Sequence, residues 1–460
     1  MKNSEILRIR IVAVFLAVLF MPLRISAGEE IGPDMLLTGQ YSAPITISLY
    51  APTYKHLMQF GEERTNSLNS VLSHLSLSVS TDRAVSQTTL MVDQEPLYSI
   101  KEQIEGETQR RIYSFDPNTV YEQEKDNEQH DQDFLSFLEH HFFILNRLLD
   151  DLYPVFEKTA ETFQDFAKAS AASLNFRGYG KGVRKIQINL TDQYVSEYFP
   201  GVPASLAGTA ESRLFIEKLL FKGPQKIALL YDQNDKLLRI NYDGLIGLTE
   251  ESMRRVSLAW RCVRSDDIKK DNLVLKTPSQ QGNDRYNLTY EREIDLSDTE
   301  RHTIKWDYQL DLKKDQQKKK NSWTADLMYS EQKLYGQFLF SEKQDNEEKK
   351  ITVTPSLMKE KGSEYAGTIE ITNNSGKIVN SSIAVSVRIA PGLQLSFPDY
   401  QNLQIVSIKN PEDSSDREAI QDKQNRILIR RLLSLPAEDL QFFSMDIPDD
   451  VWKTIMQSMI

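Results

Sequence analysis

A single cysteine, Cys262, stands in a chain of 460 residues, so an intramolecular disulfide cannot form and a zinc site built from thiolates is excluded. Histidine is scarce, with six residues, and no His-Glu-x-x-His pair occurs. Gly-x-Ser-x-Gly, a Walker loop and a dinucleotide fingerprint are also missing, so the sequence names no catalytic motif and no cofactor. Basic clusters stop at Lys318-Lys319-Lys320, and the formal charge of −11 argues against nucleic acid, whose phosphates need clustered Lys and Arg. Past the N-terminus, no apolar run approaches the roughly 20 residues of a membrane-spanning helix. With no covalent staple, burial must hold the fold, and 40% hydrophobic composition over this length suffices for two domains or one extended sheet with insertions.

What is present begins with an export signal. Lys2, Arg8 and Arg10 precede the apolar run Ile11 to Phe20, and Ile25-Ser26-Ala27 gives a small-residue exit. This order predicts a signal peptide over residues 1–27, cleaved after Ala27, with retention as an N-terminal anchor as the alternative. The body of the chain is then exported, whether extracellular, periplasmic or associated with the cell envelope.

Residues 28–121 read as a β-α-β N-terminal part. Leu37, Tyr41, Ala43, Ile45, Ile47 and Leu49 alternate with polar residues, and Leu68, Val71, Leu72 and Leu75 fall on one helical face. Short strands resume at Leu77, Leu90 and Ile112. Residues 122–223 read as a helical insertion: Phe134 to Leu152 forms one broad apolar face, and Pro154 opens a second helix, giving a helical hairpin. A strand at Ile186, Ile188 and Leu190 follows, then a short helix near Thr191 and a helix carrying Leu214, Phe215 and Leu219 that stops at Gly223-Pro224.

Residues 224–400 carry the clearest pattern, an antiparallel β-meander. Asp232-Gln233-Asn234-Asp235 reads as its first hairpin turn. Tyr286, Leu288, Tyr290, Ile294 and Leu296 then alternate with polar residues, as do Ile304, Trp306, Tyr308, Leu310 and Leu312, each strand being about 40 Å long. Lys318 to Lys320 read as a solvated hairpin tip between two such strands. Residues 401–460 read as a C-terminal helical segment, with an acidic loop from Asn410 to Gln424, a helix over Ile427 to Leu433, and a last helix opened by Pro448.

Candidate chemistry is sparse. Glu139-His140-His141 has metal-ligand residue types, but adjacent helical histidines point about 100° apart, so core and surface roles account for them better than a metal. The glycine-rich Arg177 to Gly182 precedes a strand, whereas phosphate loops follow one, and it reads as a helix-to-strand connection. Asp232 to Asp235 begins like a calcium loop, yet Lys236 and Leu237 stand where a ligand and a glycine are needed. Cys262 shares a strand face with Val256, Leu258 and Trp260, while Arg261 points the other way, so it reads as a buried inert thiol. Coincidental carboxylate pairs are unavoidable among 66 acidic residues and identify no hydrolase.

The resulting fold class is α+β: a long antiparallel β-meander with one apolar face covered by helices, plus the inserted helical hairpin. Such a face must be covered, because bare apolar patches of that size do not persist in soluble monomers. A signal sequence, an early helix at Leu68 to Leu75 and a long sheet with an apolar side resemble the LolA and LppX type of exported lipid or lipoprotein carrier, over about residues 35–116 and 226–390. No lipid-acceptor cysteine stands at the mature N-terminus. The resemblance implies a non-catalytic envelope protein that holds an apolar ligand or partner segment between sheet and helices, with Tyr290, Trp306, Tyr308, Leu310 and Phe338 as groove residues. The expected partners are a lipid or other apolar ligand and an envelope protein, with no cofactor and no metal. The alternative is a secreted scaffold with a fully packed core and no groove.

Overall fold

Period-two alternation becomes extended chain along most of the described residues. The computed structural model describes residues 44–124 and 220–436, each with short gaps, together with 177–178, 184–190, Leu149 and Tyr153. The described residues form twenty strands and two helices, and every strand pairing but one is antiparallel among those resolved below. The predicted signal, most of the helical hairpin, the helix near Thr191, the residues Leu214 to Leu219 and the final helix lie outside the described residues.

Contacts divide the chain into two compact units, the first comprising residues 1–126, 328–337 and 351–460 and the second residues 127–327 and 338–350. In the first unit β1 (Ile45–Leu57) leads to helix α1 (Glu62–Ser73), then to β2 (Leu75–Asp82), β3 (Val85–Val92), β4 (Glu95–Glu105), β5 (Thr108–Tyr113) and β6 (Asp116–Glu124). Each of these strands pairs with its sequence neighbour, and β1 also pairs with β19 (Ile378–Pro391), which pairs with β18 (Tyr365–Ser375). The sequence predicted three strands after α1; there are five.

Helix α1 starts at Gly61 in an extended conformation, with Glu62 and Glu63 in the first turn, where carboxylates suit the helix dipole. Its buried Leu68, Val71 and Leu72 share a core with Leu75, Leu90, Val92 and Tyr98 of the sheet and with Leu428 and Leu432. Asn69, on the same helix, holds both backbone groups of Tyr54: it accepts from the amide at 2.7 Å and donates to the carbonyl at 2.9 Å. Tyr54 sits where the β1 register slips against β19, so the ladder there is interrupted and a side chain takes over.

Two expectations about the C-terminal segment are corrected. It opens with a strand, β20 (Gln404–Ile408), which lies parallel to β6. The supposed acidic loop of 410–424 is largely helix, because α2 runs Ser415–Leu432. Its buried positions Ile420, Gln424, Leu428 and Leu432 recur every fourth residue, and the polar Gln424 on that face hid the period.

The second unit is one antiparallel ladder of consecutive strands: β7 (Arg177–Gly178), β8 (Arg184–Leu190), β9 (Leu220–Tyr231), β10 (Leu237–Gly247), β11 (Arg254–Arg264), β12 (Ile268–Thr277), β13 (Arg285–Asp295) and β14 (His302–Lys314). The strands β15 (Gln317–Tyr329), β16 (Lys333–Gln344) and β17 (Glu347–Lys359) follow. Arg177 and Gly178 of the glycine-rich segment form β7, which pairs antiparallel with β8; the rest of that segment and the residues before it lie outside the described residues. The β9–β10 turn is as expected: Asp232 Oδ1 accepts from the amides of Asn234 and Lys236, both at 2.8 Å. Lys318 to Lys320 fall at the start of β15, with Lys319 3.2 Å from Glu342.

The stop predicted at Gly223-Pro224 is also corrected, since β9 passes straight through it. Gly223 has a positive φ of 75°, and the β9–β10 register slips beside it, so the missing proline donor falls at a bulge. The fully buried Gln225 repairs the ladder, its amide donating to the carbonyls of Lys222 at 2.8 Å and Gly223 at 3.1 Å. Its oxygen accepts from the Tyr242 hydroxyl, and burial followed by the neighbouring Asp243 charge pushes that phenol well above its ordinary pKa.

Candidate binding face

The register of the second unit aligns the apolar phases of its strands into transverse rows. One row reads Leu229, Ile240, Trp260, Leu273, Tyr290, Tyr308 from β9 to β14. The next reads Ile227, Tyr242, Leu258, Leu275, Leu288, Leu310. All five residues expected to line a groove come together here. Tyr290 opposes Tyr308, Trp306 and Leu310 flank Tyr308 on the same face, and the Phe338 ring on β16 lies 6.3 Å from the Trp306 ring. Tyr290 and Tyr308 are each 2% exposed, Leu310 0% and Phe338 4%, while Trp306 is half-buried. The face is therefore covered.

Bordering the aromatic row is a third row of different character: Cys262, Asp271, Arg292, Trp306. Asp271 is the hub. Its Oδ1 accepts from Trp260 Nε1 at 2.9 Å and Arg264 Nη2 at 2.6 Å, and its Oδ2 from Arg292 Nε at 2.8 Å and Nη2 at 2.6 Å. A carboxylate removed from water this completely persists only when its lone pairs are satisfied, and four donors achieve that. The guanidinium of Arg264 also lies 5.0 Å above the ring of Tyr153, a helical residue of the inserted segment. Tyr153 thus lies beside this row.

Cys262 is buried, as its strand phase indicated, and its thiol lies 3.4 Å from the carbonyl of Leu237. The other end of the row contrasts with Asp271. Among the described residues Trp306 Nε1 is buried and has no hydrogen-bond partner, although Trp260, one row over, has its indole N–H satisfied by Asp271.

The charged pair escaped the sequence reading. Arg292 interrupts the apolar series Tyr286, Leu288, Tyr290, Ile294, and Asp271 does the same before Leu273 and Leu275. Opposite charges on the apolar phases of adjacent strands were the available signal. The Glu139-His140-His141 cluster lies outside the described residues.

No protein family matches the chain, and no curated protein matches it. Among solved structures, the crystal structure of Pseudomonas aeruginosa OpdO is similar over 75% of this chain and 95% of its own, at 8% identity and a TM-score of 0.26. No described helix is long and apolar enough to cross a membrane.

Proposed function

We propose that the protein is a non-catalytic binding protein, exported to the cell envelope, which shelters an apolar ligand or a partner's apolar segment against the aromatic rows of β13 and β14. The carrying observation is the make-up of that face: Tyr290, Trp306, Tyr308, Leu310 and Phe338 lie beside a short polar row centred on Asp271. An apolar wall with a few fixed polar groups is what small-molecule sites present. The predicted export signal and the resemblance to exported lipid carriers support the same reading.

A second reading, a secreted scaffold with a packed core, is favoured by the near-zero exposure of Tyr308 and Leu310. Tyr308→Asp separates the two. If a ligand covers the face, the variant stays folded, because water enters with the new charge, and it loses uptake of a fluorescent acyl probe. If protein alone covers it, the variant buries an unpaired carboxylate, which costs several kcal/mol and lowers the melting temperature sharply. A parent that never takes up the probe, with a variant that melts early, ends the carrier reading.

A further inference from the structure

Hairpin turns are ordinarily flanked by polar residues, and the one between β18 and β19 is not. Gly376, with a positive φ of 60°, begins the turn, and β19 leaves it through Ile378 and Val379, which are 59% and 39% exposed. Met58, 54% exposed, lies beside them just past the end of β1, because its amide donates to the Asn380 carbonyl at 2.8 Å. His56 Nε2 lies 3.2 Å from the Val379 carbonyl and ties the same two strands. Ile378 and Val379 are successive strand residues and so point to opposite faces, which leaves the tip apolar on both. A patch that docks on a folded partner needs one such face, whereas a tip apolar on both suits immersion in lipid.

The charge behind the tip fits a phosphate-bearing surface. The chain carries 66 acidic residues, yet none falls between Asp34 and Glu62 or between Glu370 and Asp399, the stretches that contain β1 and β19. Lys55, Lys377 and Arg388 fall within them. Of the carboxylates around this ribbon, Glu370 is held by Lys55 at 2.7 Å, Glu364 pairs with Arg388, and Glu62 and Glu63 sit in the first turn of α1. The paired strands β1 and β19 thus meet anionic headgroups with little of the repulsion that a net charge of −11 gives the chain as a whole.

We infer that the β18–β19 tip, with Met58 at its side, inserts into the interfacial layer of a phospholipid bilayer. The inference is separate from the carrier reading, because the tip belongs to the first unit and the aromatic rows to the second. Interfacial binding grows with the apolar area inserted, which makes Ile378 and Val379 the sensitive positions.

Flotation of the full chain with vesicles of phosphatidylcholine and phosphatidylglycerol tests it. The parent floats with the vesicles, and the double variant Ile378→Ser with Val379→Ser binds about tenfold more weakly, as the loss of two inserted aliphatic side chains requires. Ile405→Ser changes an equally exposed residue on β20, which pairs with β6 and not with β19, and binds as the parent does. A nitrobenzoxadiazole label on Ile378→Cys, in the Cys262→Ala background, gives a second readout that does not depend on the serine variant folding. Its emission shifts to the blue when vesicles are added, and the same label on Ile405→Cys is unmoved. A parent that stays off the vesicles, a serine variant that floats equally well, or a label on Ile378→Cys that does not shift overturns the inference. So does a parent that pairs with a second copy through this tip, read by light scattering as a mass that the serine variant halves. Uptake of the acyl probe at the aromatic rows is unchanged in the serine variant, so the carrier reading stands or falls apart from these outcomes.

Discussion

Asp271 and Arg292 oppose each other in direct register across β12 and β13, joined by bonds of 2.6 and 2.8 Å, on a face otherwise built of aliphatic and aromatic side chains. Breaking a buried pair from one side strands the other charge, so Asp271→Ala is expected to destabilise the protein by about 3 to 5 kcal/mol. Replacing both members, Asp271→Leu with Arg292→Leu, recovers part of that loss, because the stranded Arg292 charge goes with its partner while Trp260 and Arg264 still lose their acceptor. Urea unfolding of the parent and the two variants measures the effect. An Asp271→Ala variant as stable as its parent contradicts the network as drawn.

Gly244 is required by the lock that spans the β9 bulge. A Cβ at this position would lie 1.7 Å from Gln225 Oε1 and 2.5 Å from the Tyr242 hydroxyl. Gly244→Ala is therefore expected to cost about 1 to 3 kcal/mol, as overpacking of a filled site does. Adding Gln225→Ala removes the clash, so the double variant falls short of the sum of the singles. Strict additivity in denaturant melts rules out the contact.

The long strands were legible because one face is buried and the other solvated: Tyr286 to Ile294 and Ile304 to Leu312 declare that difference every second residue. The convergence of Tyr290, Trp306, Tyr308, Leu310 and Phe338 followed from it. What the sequence hid depends on register or on polar residues placed inside. Asp271 and Arg292 are 21 residues apart and meet only through strand pairing. Gln225 and Gln424 sit buried where an apolar residue marks a face, and the first turns Gly223-Pro224 from an apparent helix stop into a bulge within β9. The parallel pairing of β20 with β6 joins segments some 280 residues apart and leaves no local mark.

Tyr98 ties stability to alkaline pH. Burial in the core under α1, with a lesser contribution from Tyr113, pushes its phenol up from 10.0 to about 12. Between these values the unfolded chain releases a proton that the folded chain retains, so the stabilisation is complete below pH 10 and is lost as pH rises through 12. Two units amount to about 2 to 3 kcal/mol. Denaturant midpoints measured from pH 9 to 12 fall more steeply for the parent than for Tyr98→Phe, and parallel curves count against the assignment.

Cys262 provides a probe of the β9–β14 ladder without perturbing it. Buried between β10 and β12, its thiol is expected to react slowly with a thiol reagent in the native state and rapidly in denaturant. Cys262→Ala costs about 1 kcal/mol, the loss of a small buried group, and leaves binding intact. Equal labelling rates in both states contradict the burial.

Native mass spectrometry of the purified protein tests the central claim most directly, because a sheltered ligand travels with the folded chain. The account predicts a mass above that of the polypeptide, an excess that solvent denaturation releases as an apolar molecule. A native mass equal to the polypeptide alone, from protein gently extracted and fully folded, contradicts it and leaves the packed scaffold as the reading of the face.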